Sequence, residues 1–302
     1  AAHAAAPWMT IWDDHEVAND YAGQWDQRYG DPATFLRRRA AAYQAYWEHL
    51  PLRRSAHPAG PFARLHRRLD WGDLARIVFV DDRQFRDDRA CQPAPDAVGH
   101  RAYLAYVRDC AGLADPARQM LGRRQEAWLL DSLNDRHARW NVLAQQTLMA
   151  PFRTIDPDRP ADGPVLNPVD RWQGYPAARD RIFRRWADAR TPNPLVLSGD
   201  IHAFAAADLH HPDRPDGPPV AAEFVGGSIT SLNPDKVFKT TAAITPGIRF
   251  AENMVRGYGR IELSRATCEV TYRGLADARD PRSAIADLTR FTVEAGRAGI
   301  AD

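Results

Sequence analysis

Leu195-Val196-Leu197-Ser198-Gly199-Asp200-Ile201-His202 is an apolar run that ends in glycine, a carboxylate and, two residues on, an imidazole. The run reads as a buried strand, and the polar residues fall at its C-terminal end. Gly199 lets the backbone turn tightly. Asp200 and His202, at i and i+2 in an extended turn, can point the same way, as chelating ligands do. Imidazole beside carboxylate suits iron, manganese or zinc. A capping aspartate followed by a core histidine fits the same short motif, so the reading depends on what the rest of the chain offers.

Outward from this run, short apolar stretches alternate with helical patterns, which points to an α/β fold. Strands are predicted over 8–12, 76–80, 140–144, 195–198, 221–225, 260–263 and 269–272. The clearest helix follows Asp31-Pro32, an N-cap with proline at the first helical position. Its apolar stripe is Leu36, Ala40, Tyr43, Trp47 and Leu50, and Pro51 stops it. Further helices are expected over 123–133 and from near Pro176 to before Pro192. Long loops rich in Asp, Pro and Arg are expected over 87–98 and 154–174, lengths usual for lids or site walls. The tail from 276 carries one amphipathic helical candidate, 284–295, with Gly296 as its stop.

A second chemical cluster follows the predicted strand 8–12: Trp12-Asp13-Asp14-His15-Glu16-Val17-Ala18-Asn19-Asp20. Carboxylates at the C-terminal end of a buried strand lie where α/β folds bind ligands. Like charges at Asp13, Asp14, Glu16 and Asp20 repel unless a cation offsets them. Such oxygen-rich clusters suit hard cations, and Asn19 offers a neutral carbonyl oxygen. His15 is placed to act as a general acid or as a donor to a phosphoryl oxygen. An acidic helix start, capped by Asp13 or Asp14, is the plainer alternative. Two strand-end clusters of metal-ligand type in one chain favour two faces of one binuclear centre.

Bulk composition is ordinary for a globular protein of 302 residues, with 44% hydrophobic and 26% charged residues. The formal net charge of +1 gives no global field of the kind that marks a nucleic-acid or membrane binder. No apolar run approaches the roughly 20 residues of a membrane-spanning helix. Positions 1–7 show no signal-peptide pattern, and a chain starting one short loop before a core strand is expected to be truncated. Of three cysteines, Cys91 and Cys110 flank a polar stretch and could pair in an exported protein; three idle thiols fit equally.

Several motifs agree in order and spacing with one family. Trp12–Asp20 resembles the acidic signature of the PhoD-like alkaline phosphatases, a branch of the calcineurin-like metallophosphoesterases. The helix Ala41-Ala42-Tyr43-Gln44-Ala45-Tyr46-Trp47-Glu48-His49-Leu50-Pro51 resembles the one after that signature. Val80-Asp81-Asp82-Arg83-Gln84-Phe85-Arg86 resembles a Leu-Asp-x-Arg-x-Tyr-Arg strand end. Leu121-Gly122-Arg123-Arg124-Gln125-Glu126-Ala127-Trp128-Leu129 resembles Leu-Gly-x-x-Gln-x-x-Trp-Leu, and Asp170-Arg171-Trp172-Gln173-Gly174-Tyr175 resembles the Trp-Asp-Gly-Tyr loop. Ser198–His202 and Glu223-Phe224-Val225 with Ser228-Ile229-Thr230-Ser231 complete the set.

The resemblance implies a hydrolase of phosphate monoesters or diesters, acting on a small-molecule substrate with Fe3+ and Ca2+ as cofactors. The implied fold is a sandwich of two mixed sheets flanked by helices, with its N-terminal strands missing. Residues 1–275 would form the C-terminal part of the catalytic domain, and 276–302 a tail. Implied metal ligands are Asp13, Asp14, Asn19, Asp200 and His202. His15 is the implied catalytic residue. Position alone adds Arg39 as a second catalytic candidate and Arg38, Arg86 and Tyr175 as substrate contacts, since arginine pairs bidentately with phosphate and a tyrosine can stack on the substrate. A solvated basic face off the apolar stripe for Arg38 and Arg39, structural ion pairs for Arg86 and core packing for Tyr175 are the plainer alternatives. The family's habit of export implies a periplasmic or secreted protein. The family's upstream ligands, including a bridging aspartate, have no counterpart here, so a non-catalytic, metal-binding fragment is the alternative. Gln173 stands for the Asp of the Trp-Asp-Gly-Tyr loop, and Phe85 for a Tyr.

Overall fold

A computed structural model describes residues 2–96 and 101–302. Its strands are β1 (Arg67–Trp71), β2 (Ala75–Phe79), β3 (Tyr106–Val107), β4 (Trp140–Ala144), β5 (Thr154–Ile155), β6 (Pro164–Pro168), β7 (Pro194–Ser198), β8 (Phe204–His211), β9 (Arg214–Gly226), β10 (Ile248–Glu252), β11 (Arg256–Leu263), β12 (Thr267–Leu275) and β13 (Ile285–Glu294). Its α-helices are α1 (Ala2–Ala5), α2 (Pro32–His49), α3 (Ala111–Ala114), α4 (Arg123–Ser132), α5 (Pro176–Ala189) and α6 (Phe238–Ile244). Positions 97 and 98 of the predicted 87–98 loop lie outside the described residues.

Among the described residues, a large mixed sheet runs β1-β2-β4-β7-β9-β8-β10. Two three-stranded sheets, β11-β12-β13 and β3-β6-β5, accompany it. Successive side chains of a strand point to opposite faces, and here both faces of the large sheet are covered. Trp140, Val142, Leu195, Phe204, Ala206 and Phe224 pack against Cys268, Val270, Tyr272 and Val293 of the small sheet. The alternate residues Leu143, Val196, Ala205, Ala207 and Val225 pack against Leu129 of α4, Ile182, Phe183 and Trp186 of α5, and Phe238 of α6. A separate core joins Trp12, Val17 and Tyr21 to Phe35, Tyr43 and Tyr46 of α2.

Asp31 caps α2 by accepting from the N–H groups of Ala33 and Thr34. The buried stripe of this helix is Phe35, Arg39, Tyr43 and Tyr46, one position off the predicted one through most of its length. Two further expectations fail. Residues 8–12 form no strand; Trp8 and Met9 are 44% and 50% exposed. Among the described residues no ladder meets this backbone: Arg67 donates to the Thr10 carbonyl and Gln146 to that of Trp12. The predicted helix 284–295 is strand β13, paired along its length with β12. Cys91 and Cys110 form a disulfide with Cα atoms 6.6 Å apart.

Glu223 lies near the C-terminal end of β9 with no exposure. Its carboxylate accepts from the backbone N–H groups of Met149 (2.8 Å) and Ala150 (2.6 Å) and from the Ser198 hydroxyl. Burial pushes its pKa up to about 7, against the pull of those three donors. A carboxyl raised on folding binds protons more tightly in the native state, so its contribution to stability falls as pH rises from about 4.5 to about 7. Glu223→Gln removes that contribution and turns an amide nitrogen towards a backbone N–H, at a cost of about 1–3 kcal/mol. Urea titrations of both proteins between pH 4.5 and 8 should show the cost shrinking as pH rises. A constant difference would remove Glu223 as a titrating group.

Candidate functional site

Strands β2, β4, β7 and β9 are mutually parallel, so their C-terminal ends lie along one edge of the sheet. That edge is where the chain concentrates its polar residues. Gln146, just past β4, ties the neighbouring turns together: it donates to the carbonyls of Trp12 and Val80 and accepts from the N–H of Asp82. Asp14 organises its own turn. Its Oδ1 accepts from His15 N (2.9 Å) and its Oδ2 from Asp20 N (2.8 Å). Gly199 leads from β7 to Asp200 and His202, which have φ of 69° and 51°; Asp20 has φ of 50°. Asp and His tolerate left-handed backbone better than most residues, but each such position still costs on the order of 1 kcal/mol. Strain of this kind gathers at sites under functional constraint, and all three residues line one cavity.

The cavity measures about 480 Å³. Asp14, His15, Asn19, Asp20, Asp170, Arg171, Asp200 and His202 lie on its wall. One carboxylate oxygen each of Asp13, Asp14 and Asp200 falls within 4.8 Å of the others. Behind them Arg83, fully buried, is the local counter-charge. Its Nε donates to Asp13 at 2.6 Å, Nη1 to both oxygens of Asp170 at 2.8 and 2.7 Å, and Nη2 to Asp200 at 3.1 Å. Arg86 joins it on Asp170, and both approach Asp82.

Six carboxyls (Asp13, Asp14, Asp20, Asp82, Asp170, Asp200) thus face three guanidiniums (Arg83, Arg86, Arg171), so acidic groups outnumber basic ones. The imbalance has consequences. Burial, with Asp170 and Asp14 adding to it and Arg83 opposing, pushes Asp200 up to about 7. Burial also raises Asp13 well above the carboxylate range, with Asp200 and Asp14 reinforcing it against Arg83. Asp14 goes the other way: burial opposes its charge, but Arg83 and its backbone donors outweigh it and hold it below the usual value. Converging oxygens with uncompensated charge, and an imidazole on the same wall, are a donor set that fits a hard cation.

Of the sequence-predicted residues, the structure brings Asp13, Asp14 and Asp200 together, with His15, Asn19 and His202 on the same cavity. The His202 Nδ1 lies 3.1 Å from the Leu232 carbonyl. Four others are not on that wall. The Arg39 guanidinium is buried and donates to the carbonyls of Pro61, Gly23 and Gln84, so it serves α2 packing. Arg38 is exposed on α2. Arg86 donates to the Asp82 carbonyl and to Asp170, behind the cavity. Tyr175 is buried, with its hydroxyl on the Asp87 carbonyl. Sequence reasoning counted Asp20 among the repelling charges without giving it a role, and it missed the hub role of Arg83 and the parts of Tyr103, Asp170 and Arg171. Tyr103 donates to Asp20 at 2.6 Å across 83 positions, a pairing with no local spacing signal.

Comparison with known proteins gives a consistent answer. The PhoD-like phosphatase family matches residues 1–272. Alkaline phosphatase D of Bacillus subtilis (strain 168) is 36% identical over 99% of this chain, and the chain spans 49% of that protein's length. A solved structure described as that of PhoD superposes with a TM-score of 0.86 at 35% identity, covering 97% of this chain and 54% of that one. The chain therefore belongs to the PhoD-like phosphatase family.

Proposed function

We propose that this chain carries the site of a metal-dependent phosphoric ester hydrolase, of the alkaline phosphatase or phosphodiesterase type. The observation that carries it is the convergence of Asp13, Asp14 and Asp200 within 4.8 Å, beside a cavity whose wall holds Asp14, Asp200 and two histidines. In this reading Asp13, Asp14, Asp200 and His202 hold two cations, with Asn19 adding a neutral oxygen, and Fe3+ and Ca2+ are the pair we favour. Bound cations supply two things: they polarise phosphoryl oxygens and lower the pKa of water. The chain's own residues do the rest. His15, 70% exposed with Nε2 4.0 Å from Asp14 Oδ2, carries on Nε2 the proton passed to the leaving ester oxygen. Arg83 keeps Asp13 and Asp200 oriented from behind. The Cys91–Cys110 disulfide supports a periplasmic or secreted location, where such bonds persist.

A second reading, cation binding without turnover, is favoured by one observation: Arg83 already bonds two of the three clustered carboxylates. One experiment separates the two. Hydrolysis of 4-nitrophenyl phosphate and its bis ester is measured before and after chelation, and again with Ca2+ and Fe3+ restored. Loss of turnover on the order of a thousandfold on chelation, with recovery, is the expected result. Cation binding by calorimetry with no turnover at any stage would establish the second reading. Turnover indifferent to chelation would end both.

A further inference from the structure

Resting on that reading of the site, we propose that Arg171 is the residue that binds the non-bridging oxygens of the substrate's phosphoryl group. The cavity wall is rich in carboxylates, yet the expected substrate is an anion. Among the described residues, Arg171 is the one arginine or lysine on that wall. Its side chain is 19% exposed, and its ion pair is with Asp200 at an Nε to Oδ2 separation of 3.6 Å, longer than a hydrogen bond. Among the described residues its guanidinium makes no hydrogen bond to the protein. Arg83, Arg86 and Arg39 are different, since their guanidiniums donate to carboxylates or carbonyls. A mostly buried guanidinium with its donors unspent is poised for a partner from outside. A phosphoryl group matches its planar fork with two oxygens.

The loop that carries Arg171 is held rigidly. Asp170 before it is fixed by Arg83 and Arg86. Trp172 after it is fully buried and donates to Gln145 at 2.9 Å. At Gly174 an added Cβ would stand 2.2 Å from the Val169 carbonyl oxygen, so the turn closes tightly on itself. Fixed on both sides, the Arg171 fork is presented beside Asp200 with little conformational freedom left to lose on binding. Sequence position gives a reason why this residue escapes notice: it lies next to an aromatic family motif, and its ion-pair partner in the fold is not the adjacent Asp170 but the distant Asp200.

Calorimetric titration of inorganic phosphate into the Ca2+- and Fe3+-loaded protein tests the assignment without requiring turnover. Arg171→Gln should weaken phosphate binding roughly 10- to 100-fold. Arg171→Lys should recover only part, because the charge returns without the fork. Ca2+ affinity, measured in parallel, should hold or tighten in both variants, since Arg171 also offsets Asp200. If Arg171→Gln weakens Ca2+ binding as much as phosphate binding, Arg171 merely positions Asp200 and the proposal falls. Unchanged phosphate affinity would also overturn it. Absence of phosphate binding in the unsubstituted protein would instead overturn the phosphoric ester reading on which the proposal rests.

Discussion

Arg83→Met should unfold this protein more readily than any conservative change in its hydrophobic core. The side chain is fully buried and bonds Asp13, Asp170 and Asp200 at once, with Asp82 at 3.7 Å. Breaking a single buried ion pair costs about 3–5 kcal/mol because the remaining charge is left uncompensated. Here three directly bonded carboxylates lose a shared partner together; Asp170 keeps Arg86 and Asp200 keeps the longer pair with Arg171, while Asp13 loses its bonded guanidinium outright, so a cost within that range is expected at pH 8 in the presence of a chelator. Two conditions should lessen it. Added Ca2+ supplies the missing positive charge and stabilises by mass action. Lower pH acts through the protons: Asp13 and Asp200 are already raised, Asp200 to about 7, and losing Arg83 raises them further. Carboxyls with raised native pKa destabilise as pH climbs through the interval from the unfolded to the folded value, so the deficit should be smaller at pH 5 than at pH 8. Urea unfolding at both pH values, with and without Ca2+, reads all of this. An Arg83→Met protein as stable as the parent at pH 8 in chelator would show that the guanidinium is not the counter-charge of the cluster.

The parts of this molecule that could be read from sequence are those whose signal is local. β7 is a contiguous apolar run up to Ser198, and β4 is apolar apart from Asn141, because the large sheet is covered on both faces, and such runs stand out. α2 and α5 carry their own punctuation: Asp31-Pro32 at one start, Pro176 at the other, Pro51 and Pro192 beyond the ends. Asp200 and His202 were visible because Gly199 follows a buried strand. β8 was invisible, since Phe-Ala-Ala-Ala-Asp-Leu-His-His has little β-propensity; its pairing with β9 and β10 makes it a strand. β13 has a helix-compatible pattern, but Thr289, Thr292 and Val293 suit a ladder, and β12 provides one. Residues 8–12 have the composition of a strand and no ladder to join. The site divides in the same way. Its acidic turns announce themselves, whereas Arg83 meets Asp13 across 70 positions, Asp170 across 87 and Asp200 across 117. The misreading of Arg39 has one physical cause: periodicity assigns charge to the solvent face, and this guanidinium is buried on backbone carbonyls.

Asp200→Asn and Asp14→Asn should both abolish hydrolysis while moving stability in opposite directions. Each removes a charged oxygen donor from the three-carboxylate cluster, and a neutral amide is a far poorer ligand for a hard cation. Because the cations provide several kcal/mol of transition-state stabilisation in the proposed mechanism, kcat/KM should fall on the order of a thousandfold for either variant. Their stabilities, compared in chelator at pH 8, should differ. Asp200 is a carboxyl that folding places against burial and its neighbours' charge, which is why its pKa reaches about 7. Above that pH its ionised form weighs against the native state, so a neutral isostere should leave the fold equally stable or more so. Asparagine also tolerates the left-handed backbone at this position, where φ is 69°. Asp14 has a lowered pKa and uses both oxygens to accept from backbone N–H groups. Its contribution is present above the unfolded value and is lost only as pH falls through the lowered one. Asparagine keeps one acceptor and turns an NH2 group towards a backbone N–H, a loss of about 1–3 kcal/mol. Turnover of an aryl phosphate by metal-loaded protein, together with thermal unfolding in chelator, tests both statements. If Asp200→Asn keeps activity within tenfold of the parent, Asp200 is not a ligand. If it is less stable than the parent at pH 8, the carboxylate is favourable to the fold and the excess negative charge inferred for the cluster is not there.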